Sequence, residues 1–213
     1  LLVNSSASPY HAGKVKERYR LIASRARALH TYICYTNLVG GQDELVFDGG
    51  SFIADPHGSV IARARQFEED MIVADISVSA RVHSTETARR AVKMISMPAF
   101  PAPQRNAVCP RTQHVMAATE EMYTALMLGT RDYVRKNGFT KVVIGLSGGI
   151  DSALTAVIAT DALGQENVVG VSMPSRYSSR GTQRDDGVLA ETLGISFLKI
   201  PIHAVHAAYL DCL

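Results

Sequence analysis

The chain is poor in the residues that build disulfide frameworks and zinc sites. It has three cysteines among 213 residues and no tryptophan. Cys34, Cys109 and Cys212 lie far apart and form no CxxC or CxxH spacing, which predicts reduced thiols. No apolar run approaches the about 20 residues that cross a bilayer, so we expect a soluble protein without a membrane partner. The reduced thiols indicate a cytoplasmic location. The net charge is only +2, and no basic run with interleaved aromatics supports a nucleic-acid partner.

The sequence also lacks an initiator methionine and a targeting segment. Leu1–Asn4 resembles the middle of a buried strand, and residues 207–213 stop within an amphipathic pattern that has no cap. We therefore expect an internal fragment of a longer protein. The sheet of its first part is then expected to expose apolar edges.

What the chain does contain is patterned for globular folding. Apolar residues make up 46% of it, which suits packed cores rather than disorder. From Val15 to Ile33 an apolar residue recurs every three or four positions, and basic residues such as Arg18 lie between them. This pattern predicts an amphipathic helix with a solvated basic face. Residues 31–36 are also β-prone.

Turn residues and β-branched runs predict several strands in the first half. Pro56-His57-Gly58 is a strong turn signal and predicts a hairpin whose strands cover 47–55 and 59–64. Residues 71–76 are apolar at most positions and predict one further strand.

A proline-rich stretch divides the chain. Four prolines fall between Met97 and Pro110, and proline is excluded from helix interiors and central strands. We predict a first domain over 1–97, a linker over 98–112 and a second domain over 113–213. In the second domain helices and strands alternate, which predicts an α/β fold with a parallel doubly wound sheet. The predicted helices cover 117–136, 152–163 and 185–193, and the predicted strands cover 141–146, 168–173 and 195–200.

The most informative segment is the loop that follows the strand at 141–146. This loop, Ser147-Gly148-Gly149-Ile150-Asp151-Ser152, leads into a helix-like run. A glycine-rich turn before a helix presents backbone N–H groups and the positive end of the helix dipole to anions. No lysine follows the glycines, which excludes the phosphate loop of kinases and GTPases. The pattern favours an enzyme that binds pyrophosphate as a leaving group during adenylation.

The loop resembles the SGG[IVL]DS signature of the PP-loop ATP pyrophosphatases. The resemblance implies an adenine nucleotide alpha hydrolase-like sheet, with ATP and Mg²⁺ as ligands. Asp151 is the implied ligand of Mg²⁺, although it is equally compatible with an N-cap of the following helix. The implied ATP-binding residues of this segment are Gly145, Leu146, Ser147, Gly148, Gly149, Ile150, Asp151 and Ser152.

A second polar segment follows the strand at 168–173. A loop of about a dozen polar residues is long for an α/β unit, and such loops are often functional. The run Met173-Pro174-Ser175-Arg176-Tyr177-Ser178-Ser179 resembles the corresponding segment of NAD synthetases. By that resemblance Met173 borders the adenosine of ATP. Arg176, Thr182 and Asp185 are then candidate contacts to phosphate, nucleotide or metal.

The first half carries an independent resemblance. The segments 4–10 and 35–53, the second of which includes Gly40-Gly41-Gln42 and Phe47-Asp48-Gly49-Gly50, are similar to the glutaminase domain of glutamine-dependent NAD synthetases. That domain has the nitrilase-like αββα sandwich fold, of which this chain would hold a part. The resemblance assigns glutamine binding to Ser8 and Lys14. Without it, Lys14 is an ordinary surface lysine before a helix.

Together the two resemblances imply a glutamine-hydrolysing NAD synthetase. Such an enzyme hydrolyses glutamine and amidates deamido-NAD to NAD through an adenylated intermediate. The glutaminase Cys, Glu and Lys of the family are expected upstream of Leu1, so no catalytic residue is assigned here. We expect small-molecule substrates and a homo-oligomer.

Two other interpretations stay open from the sequence alone. One is a different PP-loop enzyme, such as an amidotransferase or a tRNA-modifying enzyme, which should show a basic RNA-binding surface or paired catalytic cysteines. The other is an inactive or regulatory fragment.

Overall fold

The computed structural model describes residues 1–77 and 106–212, and it describes only the backbone of residues 180, 182 and 183. The predicted linker therefore lies largely outside the described residues. The described part of the first region contains α1 Lys14–Leu29 and six strands: β1 Leu2–Ser6, β2 Ile33–Asn37, β3 Val39–Gln42, β4 Leu45–Asp48, β5 Phe52–Ala54 and β6 Val60–Arg63. Four of the strands form a mixed sheet in the order β1-β2-β5-β6, and β3 and β4 form a separate hairpin. Strands β1 and β2 are parallel, and the other neighbouring pairs are antiparallel.

Helix α1 confirms the amphipathic prediction but corrects two of its residues. Ile33 lies in β2 rather than in the helix, because the chain turns at His30 in the left-handed conformation. Arg18 is only 6% exposed and does not belong to a solvated basic face. Both of its terminal nitrogens donate to the buried Asp48, at 2.9 Å each. Periodicity alone cannot distinguish a solvated arginine from one with a buried partner.

The strand predictions of the first half are partly correct. The Pro56-His57-Gly58 turn does join two antiparallel strands, β5 and β6. The predicted strand over 47–55 is instead divided between β4 and β5, because Gly49 and Gly50 both adopt positive φ. Residues 71–76 form no strand, so that prediction is wrong. Met71 is 80% exposed, and an apolar run forms a strand only where a neighbouring strand pairs with it.

The core of the first region lies between α1 and the four-stranded sheet. Ile22 and Ala26 of the helix pack against Ile33, Tyr35 and Phe52. Tyr19 meets Phe52 edge-to-face, with 4.5 Å between the ring centroids. At the sheet's edge, Leu1 and Val3 are 60% and 68% exposed, which agrees with the expectation of exposed apolar edges.

The second region is a parallel α/β unit, as predicted. Strands β7 Val142–Leu146, β8 Val168–Ser172 and β9 Ser196–Lys199 are parallel and lie in the order β7-β8-β9. Its predicted helices and strands are all present, but the third predicted helix, 185–193, begins five residues earlier than expected. The helices are α2 Ala118–Lys136, α3 Ile150–Leu163, α4 Arg180–Leu193 and α5 His203–Leu210, with a short 3₁₀ turn at Gln165–Asn167.

Small and branched residues form the core between the sheet and the helices α3 and α4. Leu146, Ala156, Val168, Ala190 and Ile195 are all buried in this core. The side chains on the opposite face of β7 are not buried, since Val143 is 70% exposed. A parallel sheet is normally covered on both faces, and in the described part of the chain only one face carries a helical layer.

Helix α2 belongs to the second region and also packs against the first. It packs against the β3–β4 hairpin on one side and against α3 on the other. Among the described residues, none of the helices has both the length and the apolar character needed to span a lipid bilayer.

Candidate functional site

The Ser147–Ser152 loop lies where β7 ends and α3 begins. The helix starts at Ile150, so the loop forms its N-terminal entry. Gly149 is the N-cap residue, with extended backbone angles and no side-chain capping bond. The interpretation of Asp151 as an N-cap is therefore wrong, because Asp151 lies inside the first turn. The open amide groups of that turn and the helix dipole together favour an anion at this point.

Two serines give the loop its shape. The Oγ atoms of Ser147 and Ser152 lie 3.1 Å apart, and the N–H of Ser147 donates to Ser152 Oγ at 3.2 Å. Ser152 Oγ in turn donates to the carbonyl oxygen of Gly149 at 3.0 Å. Gly148 has φ +71°, which a residue with a Cβ adopts only under strain. All of these contacts join residues at most five positions apart.

The carboxylate of Asp151 is the candidate ligand for a magnesium ion here. Its side chain is exposed in the first helical turn, beside the loop amides that would face a phosphate chain. Magnesium usually takes one or two protein carboxylates together with substrate phosphates and water. Within the described ranges, no cluster of three or more acidic, histidine or cysteine side chains could hold a metal by itself. A single carboxylate beside a phosphate site fits the magnesium that accompanies ATP.

Two neighbouring cavities flank the loop. One, of about 340 Å³, contains Gly145, Leu146, Ser147, Met173 and Asp186 in its wall. The other, of about 380 Å³, is lined on one side by residues 148–150, 152 and 153 and on the other by residues 185, 186 and 189 of α4. The fold therefore brings the loop, the end of β8 and the side of α4 together.

The candidate residues of the second polar segment have different outcomes. Met173 is half exposed and lines the cavity with Gly145, and Asp185 lines the cavity beside Gly148. Arg176 lines neither cavity, and its guanidinium instead lies over the ring of Tyr177, 4.9 Å from the centroid. The side chain of Thr182 falls outside the described atoms. These four assignments remain predictions.

Sequence reasoning missed the pair formed by Ser172 and Asp186. Ser172 Oγ donates to Asp186 Oδ2 at 2.6 Å, and both side chains are 3% exposed. Asp186 lies in the wall of both cavities. The adjacent Asp185 and Asp186 point to opposite environments, and a single sequence does not reveal which of the two is buried.

The predicted glutamine-binding residues also lie together. Ser8 and Lys14 line one cavity of about 410 Å³, which Arg18 and Tyr35 border as well. Lys14 Nζ donates to the carbonyl oxygen of Pro9 at 2.5 Å. We call residues 7–14 the rim loop.

The rim loop is hydrogen-bonded to a group of three buried polar residues, Asn37, Asp48 and Arg18. The N–H of Ser8 donates to Asn37 Oδ1 at 2.9 Å, and Asn37 Nδ2 donates to Asp48 Oδ1 at 3.2 Å. Burial opposes the charge of Arg18, but the paired Asp48 outweighs this effect and raises the pKa of Arg18. A buried charge pair with additional hydrogen bonds holds its partners in one arrangement. Asn37 connects that pair to the rim loop.

Two known families match separate parts of the chain, whereas the predicted bounds of its domains stay a prediction. Residues 1–85 match the family model described as carbon-nitrogen hydrolase, and residues 122–213 match the one described as NAD synthase. The chain therefore combines the partial nitrilase-like sheet with the start of a PP-loop sheet, which confirms the predicted fold class.

Individual relatives identify the family. The glutamine-dependent NAD(+) synthetase of Thermotoga maritima is 47% identical over the whole chain, and that of Aquifex aeolicus is 44% identical over 99% of it. The solved structure of the Acinetobacter baumannii enzyme in complex with ADP matches with a TM-score of 0.80 and 33% identity. It covers all of this chain, which spans 36% of that structure. The chain belongs to the glutamine-dependent NAD(+) synthetase family and spans 38% of the length of the first two relatives.

Proposed function

We propose that this chain forms part of an enzyme that amidates deamido-NAD to NAD, with ATP and glutamine as co-substrates. The observation that carries the proposal is the Ser147–Ser152 loop, where a serine pair and a positive-φ glycine present helix amides toward two cavities. The similarity along the whole chain to glutamine-dependent NAD(+) synthetases supports it. No feature of the described residues favours a second function.

The proposed chemistry begins with activation of a carboxylate. A free carboxylate is a poor acyl donor, so an oxygen of the deamido-NAD carboxylate attacks the α-phosphorus of ATP and the bond to pyrophosphate breaks. Ammonia then attacks the adenylated carbonyl carbon, AMP leaves and one proton is released. The protein's part in the first step is to stabilise the charge that accumulates on pyrophosphate.

The residues of the loop divide this task. We assign the amides of Gly148 and Gly149 as donors to pyrophosphate oxygens. The hydroxyls of Ser147 and Ser152 would also donate to pyrophosphate, by turning from the hydrogen bonds that they make within the loop. Asp151 would hold Mg²⁺, which neutralises phosphate charge when bound. Met173 would border the adenosine from the end of β8.

Ammonia would come from glutamine bound beside the rim loop. We assign Lys14 to the α-carboxylate of glutamine, as an ammonium that can form a charge-assisted hydrogen bond. Ser8 would contact another polar group of the same ligand. We further propose a cytoplasmic enzyme that acts on small molecules and assembles from several copies.

Replacement of Asp151 tests the synthetase site. In the longest polypeptide that contains this chain, Asp151→Ala should lower NAD formation from ammonia, ATP and deamido-NAD by at least about 100-fold, since a lost stabiliser of developing charge typically costs that much. Ammonia bypasses glutamine hydrolysis, so the assay isolates the second region.

The control is Glu191→Ala, which removes an exposed carboxylate from α4 and should leave the rate unchanged. Rates of Asp151→Ala that match the unmodified protein would refute the assignment. Titration calorimetry of ATP binding to the chain gives a second readout, which does not depend on the activity assay.

A further inference from the structure

Asp186 is a buried carboxylate in the wall of both cavities that flank the Ser147–Ser152 loop. Its side chain is 3% exposed, and its Oδ2 accepts the hydroxyl of Ser172 at 2.6 Å. Among the described residues, Oδ1 has no hydrogen-bond partner, although this atom is buried. A buried acceptor without a donor is costly, and the cost is larger for a charged group. The bond from Ser172 therefore satisfies only half of the carboxylate.

Packing and one hydrogen bond fix the position of Asp186. Ser172 is the last residue of β8, and Asp186 lies in α4, 14 positions further along the chain. Ala190 follows Asp186 on the same face of α4 and is buried in the core against the sheet. The carboxylate is therefore held at the end of β8 without a ligand. A group that is held in advance loses little conformational entropy when a ligand binds.

The place of Asp186 corresponds to the middle of a nucleotide. One of the two cavities contains Gly145 and Met173, and the other contains Gly148. In the proposed complex the base lies beside Met173, and the pyrophosphate lies beside the glycines of the loop. The ribose joins these two parts of ATP. Because Asp186 borders both cavities, it lies where the ribose would pass.

The chemistry of a carboxylate selects among the groups of a nucleotide. An ionised carboxylate only accepts hydrogen bonds, so the phosphate oxygens, which are acceptors of the same charge, are not its partners. The 2′- and 3′-hydroxyls of ribose are donors, and acidic side chains bind ribose hydroxyls in dinucleotide-binding folds. A ribose hydroxyl at Oδ1 would supply the donor that the described residues do not supply.

We propose that Asp186 is a specificity-determining residue of the nucleotide site, which accepts a hydrogen bond from a ribose hydroxyl of ATP. Ser172 holds the carboxylate in the orientation that leaves Oδ1 for the ligand. The inference rests on the proposed ATP site. It adds selection of a ribonucleotide over a deoxyribonucleotide, which the amides of the Ser147–Ser152 loop do not provide because they bind phosphate.

Nucleotides that lack one hydroxyl test this contact. In the longest polypeptide that contains this chain, titration calorimetry in the presence of Mg²⁺ compares the Kd values of ATP, 2′-deoxy-ATP and 3′-deoxy-ATP. One of the two analogues should bind about tenfold or more weakly than ATP, the effect of losing a hydrogen bond to a charged group. In Asp186→Ala, the ratio of that analogue's Kd to the Kd of ATP should fall to about one, because the hydroxyl then has no partner to lose.

Two further variants make the result specific. Glu191→Ala is the matched control, because it removes an exposed carboxylate from the same helix and should leave the ratio unchanged. Asp186→Asn keeps an acceptor for Ser172 and is the alternative if Asp186→Ala does not fold. Its ratio should lie below that of the unmodified protein, since a neutral group binds a hydroxyl less strongly than a charged one does.

The outcomes separate this inference from the function on which it rests. Equal Kd values for ATP and both analogues in the unmodified protein would overturn the role of Asp186, while the proposed function stands. A ratio that survives in Asp186→Ala would overturn it as well, because another group would then bind the ribose. If the unmodified protein binds no ATP, the proposed nucleotide site fails and the role of Asp186 fails with it.

Discussion

The Ser147–Ser152 loop and the rim loop reach defined shapes by different routes. The Ser147–Ser152 loop is held by hydrogen bonds between Ser147, Gly149 and Ser152, which span at most five positions of the chain. The rim loop has local hydrogen bonds at Lys14, but it is also held by partners 29 or more positions away, Asn37 at Ser8 and Val46 at Tyr10. The first site is therefore local in sequence, and the second is a product of packing. Mutations should affect stability and ligand binding differently in the two.

The largest expected effect on stability lies under the rim loop. Asp48→Ala leaves Arg18 charged and unpaired in a buried site, which should cost about 3–5 kcal/mol of unfolding free energy. Urea unfolding of the chain measures this loss. Glu44→Ala removes an exposed carboxylate from the same hairpin and should change stability by less than about 0.5 kcal/mol. A loss below about 1 kcal/mol in Asp48→Ala would contradict the view that the buried pair of Arg18 and Asp48 supports the rim loop.

Substitutions in the Ser147–Ser152 loop should cost less unfolding free energy, and the cost should differ between Gly148 and Gly149. Gly148→Ala forces a Cβ into φ +71° and should cost about 1–2 kcal/mol. Gly149 has φ −96°, and an added Cβ would lie 3.3 Å from Ser147 Oγ, so Gly149→Ala should cost less than Gly148→Ala without being neutral. Thermal unfolding of the two variants measures the contrast. Equal costs would mean that the loop's shape does not depend on the left-handed residue.

The smallest effect is expected between α2 and α3. Tyr123 donates to Asp161 at 2.5 Å, and this bond, followed by burial, raises the pKa of Tyr123 to about 12. Because the contact is exposed, Tyr123→Phe should cost no more than about 1 kcal/mol at pH 7.

The pH dependence of that contact has a defined sign. The tyrosine's ordinary pKa is 10.0, so the folded state binds its proton more tightly than the unfolded state does. The contribution is complete below pH 10 and is lost as the pH rises toward about 12. The unfolding free energies of the unmodified protein and of Tyr123→Phe, measured at pH 9 and pH 11.5, should differ less at the higher pH. If the difference in unfolding free energy is the same at both pH values, the contact between Tyr123 and Asp161 is not the cause of that difference.

The comparison also explains which predictions from sequence succeeded. The parallel unit was predicted almost element by element, because its strands are short apolar runs between glycine-terminated helices. The prediction over 71–76 failed, since an apolar run says nothing about whether a pairing strand is present. Arg18 was misassigned for a similar reason, because its partner Asp48 lies 30 positions away.

The site predictions divide along the same line. Residues 145–152 form one continuous segment, so their proximity needs no tertiary information. The assignment of Ser8 and Lys14 came from resemblance, and the structure places both at one cavity. Nothing in the sequence indicates that Asn37 binds the backbone of Ser8, because that contact joins residues 29 positions apart.

The sequence by itself determined the Ser147–Ser152 loop, since the serines and glycines that shape it are neighbours and their backbone preferences act locally. Only the tertiary structure decided which charged residues are buried and which partners hold the rim loop. Burial and long-range hydrogen bonding depend on how separate segments pack, and no short sequence pattern encodes that packing.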